Sequence, residues 1–460
     1  MLSRLMQVWN ELRGSYWFIP SVMALSAVLC ALFLTQNRWV LELSFFNDSH
    51  WLYKSTPEAA REVLSVIAGS MITVASVTFS ITIAAVAYAT SQFGPRLLTN
   101  FMSDRGNQWT LGTFISTFLY CLMVLRTLTG SDSDSGSVDF VPQVAVAGSV
   151  LFGVASIGVL IYFIHHVPAS IHASNVIAEV GQQLLDSLDA LYSRAEQGLE
   201  LPSGEPVSEV HFDLRNSQAL HASFDGFVQF VDHPTLMTLA DELDSAIVLD
   251  VRPGDYVSKR SCLGWVLCTT SLEPEVEARF EGAFLYGLKR TAAQDVMFLA
   301  QELIEIAARA LSPGVNDPFT AMNCLDWLGS SLGVVATKKS VDGHHYDSEG
   351  RLRLIAKYIS RELFINNNLS RVRVYAATDR NAALHFCAVL GRVLLLPVDE
   401  DIRGMLLRQA SELIECAKES LCDLDVEELK ARYGILASIA ADSRENYSMV
   451  HEHDWLGGSG

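Results

Sequence analysis

Apolar residues are unevenly spread along this chain: four long runs crowd its first third, and none follow. They extend over about Tyr16 to Leu34, Val63 to Thr90, Trp109 to Leu125 and Val141 to Val167. A helix needs about 20 apolar residues to cross a hydrocarbon core roughly 30 Å thick, so each run predicts a transmembrane helix. The third is the shortest before its first charge, Arg126, and the second is long enough to protrude. Arg126 then falls near the outer boundary, where it can snorkel to headgroups or pair with Asp132, Asp134 or Asp139. The first run has a basic start but no small-x-small cleavage site after it, which predicts a retained helix and not a removed signal.

Within the second run a finer pattern repeats. Ser65, Gly69, Thr73, Ser76, Ser80, Ala84, Ala87 and Ser91 recur every three or four residues, which places them on one helix face. Two physical readings compete. Small residues let backbones approach, so the stripe is a packing seam. Uncharged hydroxyls can also line a wet path for ions or small solutes. The run closes in Gln92-Phe93-Gly94-Pro95-Arg96, and Gly94-Pro95 should break the helix. Leu97, Leu98, Phe101 and Met102, with basic Arg96 and Arg105 and acidic Asp104, then predict an amphipathic segment along the inner interface. It is either a headgroup anchor or an elbow that passes motion to the rest of the chain.

Beyond the fourth run the periodicity changes. Ile177, Val180, Leu184, Leu188 and Leu191 predict an amphipathic helix over Ile171 to Gln197, set off from the last run by Pro168. From Val210 to Cys268 the pattern turns strand-like: Val210–Leu214, Gly226–Val231, Ala246–Val251, Tyr256-Val257 and Leu263–Leu267. Short strands around the Pro253-Gly254 turn predict a small barrel or sandwich, similar in phrasing to biotinyl/lipoyl half-barrels. Lys259 lacks the acidic flank of a modified lysine. From Phe280 onward helices are expected, first one long helix from Glu281 to Leu311. Asp317 should cap the next, with Pro318 at its first position. Glu305 and Arg309 form an i,i+4 pair, while Asp295 and Glu302 lack the partner that would make them a catalytic dyad. Lys338 to Gly350, with His344-His345, is expected as a polar loop, and Leu352 to Ala440 as three or four more helices, with Val372–Tyr375 as an alternative strand.

The fold class that follows is a membrane α-helical domain of four transmembrane helices and a cytoplasmic α+β region. That region holds a small β-barrel- or sandwich-like subdomain and then a helical domain. The expected divisions are 1–167, a connector helix at 168–200, the β subdomain at 201–275, the helical domain at 276–445 and a tail at 446–460. The tail ends in linker-like Gly457-Gly458-Ser459-Gly460.

Charge sets the expected orientation. Arg4 and Arg13 precede the first run and Arg96 and Arg105 separate the second from the third, whereas Gly130 to Phe140 carries three acids and no Lys or Arg. Positive residues stay inside, so both termini are expected in the cytoplasm. The net charge of −19 lies mostly after residue 170 and excludes a nucleic-acid partner, which would need clustered Lys and Arg. The eight cysteines form no C-x-x-C pair and read as ordinary thiols. His165, His166 and His172 lack a Cys or carboxylate that would complete a metal set, so no metal and no cofactor is expected. No nucleotide loop, G-x-S-x-G elbow or H-E-x-x-H occurs, which argues against an enzyme.

Two stretches carry a resemblance. Ser91-Gln92-Phe93-x-Pro95-Arg96-Leu97-Leu98, followed by Phe101-Met102-x-Asp104-Arg105-x-x-Gln108, is similar to the signature of domain-of-unknown-function family 2254, uncharacterised predicted bacterial membrane proteins. Arg309 to Ala321, containing Ser312, Pro313, Gly314, Asn316, Asp317 and Pro318, resembles that family's second signature, with Val315 where members often carry Ile. The resemblance implies a multi-pass protein of the bacterial inner membrane and supplies no activity. Four spans form a thin bundle, so conduction would require a homo-oligomer. The sequence thus points to an oligomeric ion channel or transporter with a cytoplasmic regulatory domain. The alternative is a non-conducting scaffold or sensor that couples an envelope signal to a cytoplasmic partner. Either works within the lipid bilayer.

Overall fold

The computed structural model describes residues 17–36, 56–94, 104–128, 141–198, 217–267, 272–341, 343–441 and 455. The chain divides into two compact units, Met1–Asn175 and Val176–Gly460.

Among the described residues, four helices in the first unit are long and apolar enough to cross a membrane. They are α1 (Phe18–Gln36), α2 (Pro57–Phe93), α3 (Arg105–Thr127) and α4 (Gln143–Ser170). At 1.5 Å per residue, the 37 residues of α2 extend about 55 Å, well beyond a bilayer core. Thr56 caps its start by accepting from the Ala59 N–H, and Gly94, at φ 106°, ends it as the Gly-Pro pair predicts. Pro168 lies within α4, which continues to Ser170, so the chain turns two residues later than expected.

The third helix is central and packs against α1, α2 and α4. Its buried face alternates apolar and polar groups: Asn107, Thr110, Phe114, Thr117, Tyr120 and Val124. Thr117 Oγ1 lies 3.1 Å from Ser156 Oγ on α4, and the Tyr120 hydroxyl donates to the Ala145 carbonyl at 3.0 Å. A Cβ at Gly148 would stand 2.6 Å from that hydroxyl, so glycine is what admits the tyrosine.

The second unit opens with α5 (Ala173–Gly198, of which the residues from Val176 belong here), whose Ile177, Val180, Leu184 and Leu188 are buried as their spacing predicts. Among the described residues, eight strands and eight more helices follow. The strands are β1 (Gln218–His221), β2 (Gly226–Val231), β3 (Ile247–Leu249), β4 (Tyr256–Val257), β5 (Cys262–Val266), β6 (Phe284–Gly287), β7 (His344–Tyr346) and β8 (Leu352–Ile355). The helices are α6 (His233–Glu242), α7 (Pro274–Gly282), α8 (Val296–Ala310), α9 (Pro318–Thr337), α10 (Arg361–Ala376), α11 (Arg380–Leu394), α12 (Glu400–Ala417) and α13 (Asp423–Ala441). The strand expected at Val210–Leu214 lies outside the described residues.

The strands form two open sheets, and neither closes into a barrel. One has the order β1-β5-β3-β8-β7 and the other β4-β2-β6. The expected barrel fails for a physical reason. The pattern from Gly226 to Leu267 supplies strands of two to six residues, too few and too short to bond edge to edge around a ring. The edges are completed from far along the chain instead. β8 runs parallel to β3, Ile247 opposite Leu354, and β6 pairs with β2, Val228 opposite Tyr286. One core of Val228, Leu236, Ile247, Leu263, Phe280 and Leu354 fills the space between sheets and helices.

The pairing of β6 also corrects the long helix expected from Glu281 to Leu311. Phe284 and Tyr286 are β-prone and gain a cross-strand partner, and Asp295 restarts the helix by accepting from the Phe298 N–H at 3.0 Å. His344-His345 forms part of β7 and not a loop. Val372–Tyr375 is helical, inside α10, which Ser360 caps. The helices α8 to α13 pack on one another around Leu303, Leu325, Leu369, Phe386 and Leu413.

Candidate functional site

The exposure pattern of α2 decides what its stripe does within one chain. Buried positions are Leu64, Ala68, Met71, Ala75, Thr78, Thr82, Ala85 and Ala89, and this face meets α3 and α4. Ser65, Gly69, Thr73, Ser76, Ser80, Ala84, Ala87 and Ser91 are all exposed, on roughly the opposite side of the helix. Large apolar residues, among them Val66, Val77, Phe79 and Ile81, are exposed beside them. Among the described residues, none of the other helices covers the stripe. Four of its hydroxyls are satisfied locally: Thr73 donates to the Gly69 carbonyl, Ser76 to Ile72, Ser80 to Ser76 and Ser91 to Tyr88.

The residues expected to form an elbow divide. Pro95 and Arg96 lie outside the described residues, as do Leu97 to Met102, and Gln92 is placed only as part of α2. Asp104 and Arg105 open α3. Asp104 Oδ1 accepts from the Gly106 N–H at 2.8 Å, a cap on the helix start. Its Oδ2 lies 2.8 Å from His166 Nε2, near the far end of α4. The His166 ring stacks on Tyr162, with centroids 5.0 Å apart. A Cβ at Gly106 would come within 2.6 Å of His166 Nε2 and 2.8 Å of the Tyr162 hydroxyl. Asp104, Gly106, Tyr162 and His166 thus tie the start of α3 to the end of α4. Two of the sequence-level candidates, the elbow aspartate and a histidine considered for metal, meet here. Their sequence separation of 62 residues hides the pair.

One turn into α3 stands a group the sequence did not single out. Asn107 is 1% exposed, and neither its Oδ1 nor its Nδ2 has a hydrogen-bond partner among the described residues. Only its place among the buried polar positions of α3 hints at it, and that burial needs the bundle to be recognised.

In the second unit the Ser312–Pro318 segment forms a tight connection between α8 and α9. Ser312 Oγ donates to the Arg309 carbonyl, and the Asn316 N–H donates back to the Ser312 carbonyl. Asn316 takes the left-handed conformation at φ 51°, which asparagine tolerates. Asp317 accepts from the Thr320 N–H and hydroxyl, while Pro318 opens the helix. Pro313, Gly314 and Asn316 are exposed. The Asp317 carboxylate fills the helix start at which an anion would bind.

Among the ion pairs of the second unit, two groups centre on Arg353 and Asp326. Arg353, 3% exposed, is held by Asp241, Asp244 and Asp347. Asp347 also accepts from the Arg351 N–H and guanidinium, both at distances of 2.8 to 2.9 Å. Burial would raise the Asp347 carboxyl, but these hydrogen bonds outweigh it and hold the group well below the usual carboxylate range. On the helical side Asp326 accepts from His385 at 2.8 Å and pairs with Arg392. Again burial is outweighed, here by His385 first, and the carboxyl is lowered. Both groups read as structural locks. Among the described residues no three His, Cys, Asp or Glu side chains converge as a metal site would require.

Comparisons with known proteins agree on one assignment. The chain is 29% identical over 435 residues to an uncharacterized protein of Mycobacterium bovis, covering 92% of this chain and 80% of the relative. An uncharacterized protein of Mycobacterium tuberculosis matches with the same identity and coverage. No solved structure matches. Residues 13–392 fit the family model described as "Predicted membrane protein (DUF2254)", which takes in the four apolar helices, both signatures and the sheets, and the chain belongs to that family.

Proposed function

We propose that this protein resides in the bacterial inner membrane, with both termini cytoplasmic, and assembles into a homo-oligomeric ion channel or transporter. The unit that begins at Val176 serves as its regulatory domain. One observation carries this reading: the small and hydroxyl-bearing face of α2 is exposed on the single chain, opposite the face by which α2 packs. Lipid gains nothing from serine over leucine, so such a face gains from a second copy or from water. A path between copies would present Thr73, Ser76 and Ser80 to a passing ion or small solute.

The non-conducting scaffold is supported by a different observation. The stripe hydroxyls already donate to carbonyls of their own helix, which suits a dry helix–helix contact. A single preparation separates the two. Ser76→Cys in reconstituted vesicles should cross-link between copies under either reading. Cation, anion or small-solute flux, altered by Ser80→Ala, is expected of a channel or transporter. Cross-linking without flux, across a range of solutes, would leave the scaffold.

A further inference from the structure

The second unit holds a cavity of about 210 Å³. One wall is a face of α5 that presents Asp186 and Ser187 and, one turn on, Ala190 and Leu191. The other wall forms where strands end: Leu249 and Val251 from the close of β3, His233 after β2, and Tyr358 after β8. Most of the lining is apolar. A cavity of about 150 Å³ already takes up benzene, so this one accommodates a single ring with a short chain, about nine non-hydrogen atoms.

We infer that this cavity binds a small organic cation, an amine carried on an apolar body. The polar groups decide the sign. On the far wall they are already engaged. Gln294 accepts from the Val231 N–H and donates to the Val231 carbonyl. Lys357 Nζ is held by the Asp250 carbonyl and carboxylate, which partly offsets its charge. The Tyr358 hydroxyl stands 3.4 Å from His233 Nδ1 and 3.3 Å from His345 Nε2. On the α5 wall the Asp186 carboxylate receives the Gln182 amide at Oδ1, and no Lys or Arg pairs with it among the described residues. Asp186 is itself exposed, so its carboxylate stays in contact with solvent, and a carboxylate without a cation there attracts a positive group whose apolar body fills the cavity. The rings of Tyr358 and His233 line the opposite side, and a tyrosine face adds to the attraction for an amine. An anionic ligand would place a second negative charge near Asp186. A neutral one would fill the volume and leave the carboxylate with solvent.

Three probes share one body and differ in charge: phenethylamine, phenethyl alcohol and phenylacetate. Calorimetric titration of the full chain in detergent should show the amine binding, the alcohol binding about tenfold more weakly and no heat from the carboxylate. Asp186→Asn should bring the amine down to the affinity of the alcohol. Ala190→Phe, on a half-buried position of α5, should fill the cavity and abolish saturable binding of both. Heat that survives in Ala190→Phe is partition into detergent and counts against the site. Equal affinity for the three probes, or amine binding unchanged in Asp186→Asn, would overturn the inference. The titration reads no flux, so its outcome is independent of whether the first unit conducts.

Discussion

His166 Nε2 and Asp104 Oδ2 lie 2.8 Å apart and join the end of α4 to the start of α3. The same carboxylate caps α3 through the Gly106 N–H, so one side chain performs both tasks. Asp104→Ala should therefore cost more than a cap alone, which is about 1 kcal/mol. His166→Ala should cost less. A thermal double-mutant cycle on these two positions in micelles should return a coupling of about 0.5 kcal/mol or more, and additive losses would show the pair to be idle.

Gly106→Ala tests how closely the two helix ends approach. The new Cβ would meet His166 Nε2, which cannot swing away without leaving Asp104. A loss of about 1–3 kcal/mol is expected, with faster amide exchange over the first turn of α3. Gly69→Ala, where a Cβ meets nothing within 4 Å, should leave the melting temperature of the single chain unchanged.

Acid should weaken the Arg353 lock. A carboxyl held below its unfolded value stabilises the fold at pH above that value, about 4, and loses its contribution as pH falls through the folded value. Asp347 has that sign. Unfolding of the second unit, followed by tryptophan fluorescence, should become easier below about pH 4. Asp347→Asn should weaken the unit at neutral pH, because it strips the buried Arg353 of one partner, and should flatten the acid limb.

Substitutions on the two faces of the bundle should separate stability from assembly. Thr117→Val removes a buried interhelical bond to Ser156 and should cost about 0.6 kcal/mol in a monomeric unfolding assay. Ser80→Ala removes only a bond to its own helix and should leave that assay unchanged while altering association or flux.

Orientation can be checked at the acidic segment between α3 and α4. Ser133→Cys in a cysteine-depleted background should react with an impermeant thiol reagent added outside. Reaction only after the inner face is opened would reverse the topology.

Much of this architecture is legible in the sequence because its signals are local. Twenty-residue apolar runs, the spacing from Ile177 to Leu188 and the Asp317-Pro318 helix start each depend on neighbours within a few positions. What escapes the sequence depends on distant partners. The pairing of Ile247 with Leu354 cannot be seen from Ala246–Val251, and that pairing turns an imagined barrel into an open sheet. The helix drawn from Glu281 to Leu311 breaks because β2 offers Phe284 and Tyr286 a better partner than their own helix would. The stripe on α2 is visible as a stripe. Which side of the helix the rest of the bundle would cover is not, because Ala68 and Ala75 look as suited to either face as Gly69 and Ser76.

The hydroxyls of Thr73, Ser76 and Ser80, each turned back on a carbonyl of the preceding turn, bear on the order of biogenesis. These three hydroxyls do not wait for a neighbour to relieve them, so this stretch of α2 can enter lipid as a solitary polypeptide. On the proposed homo-oligomeric reading, joining of subunits would then be a separate, later and reversible event. Its extent is set by how many copies share a given area of membrane, and a dilute bilayer would hold intact but solitary chains.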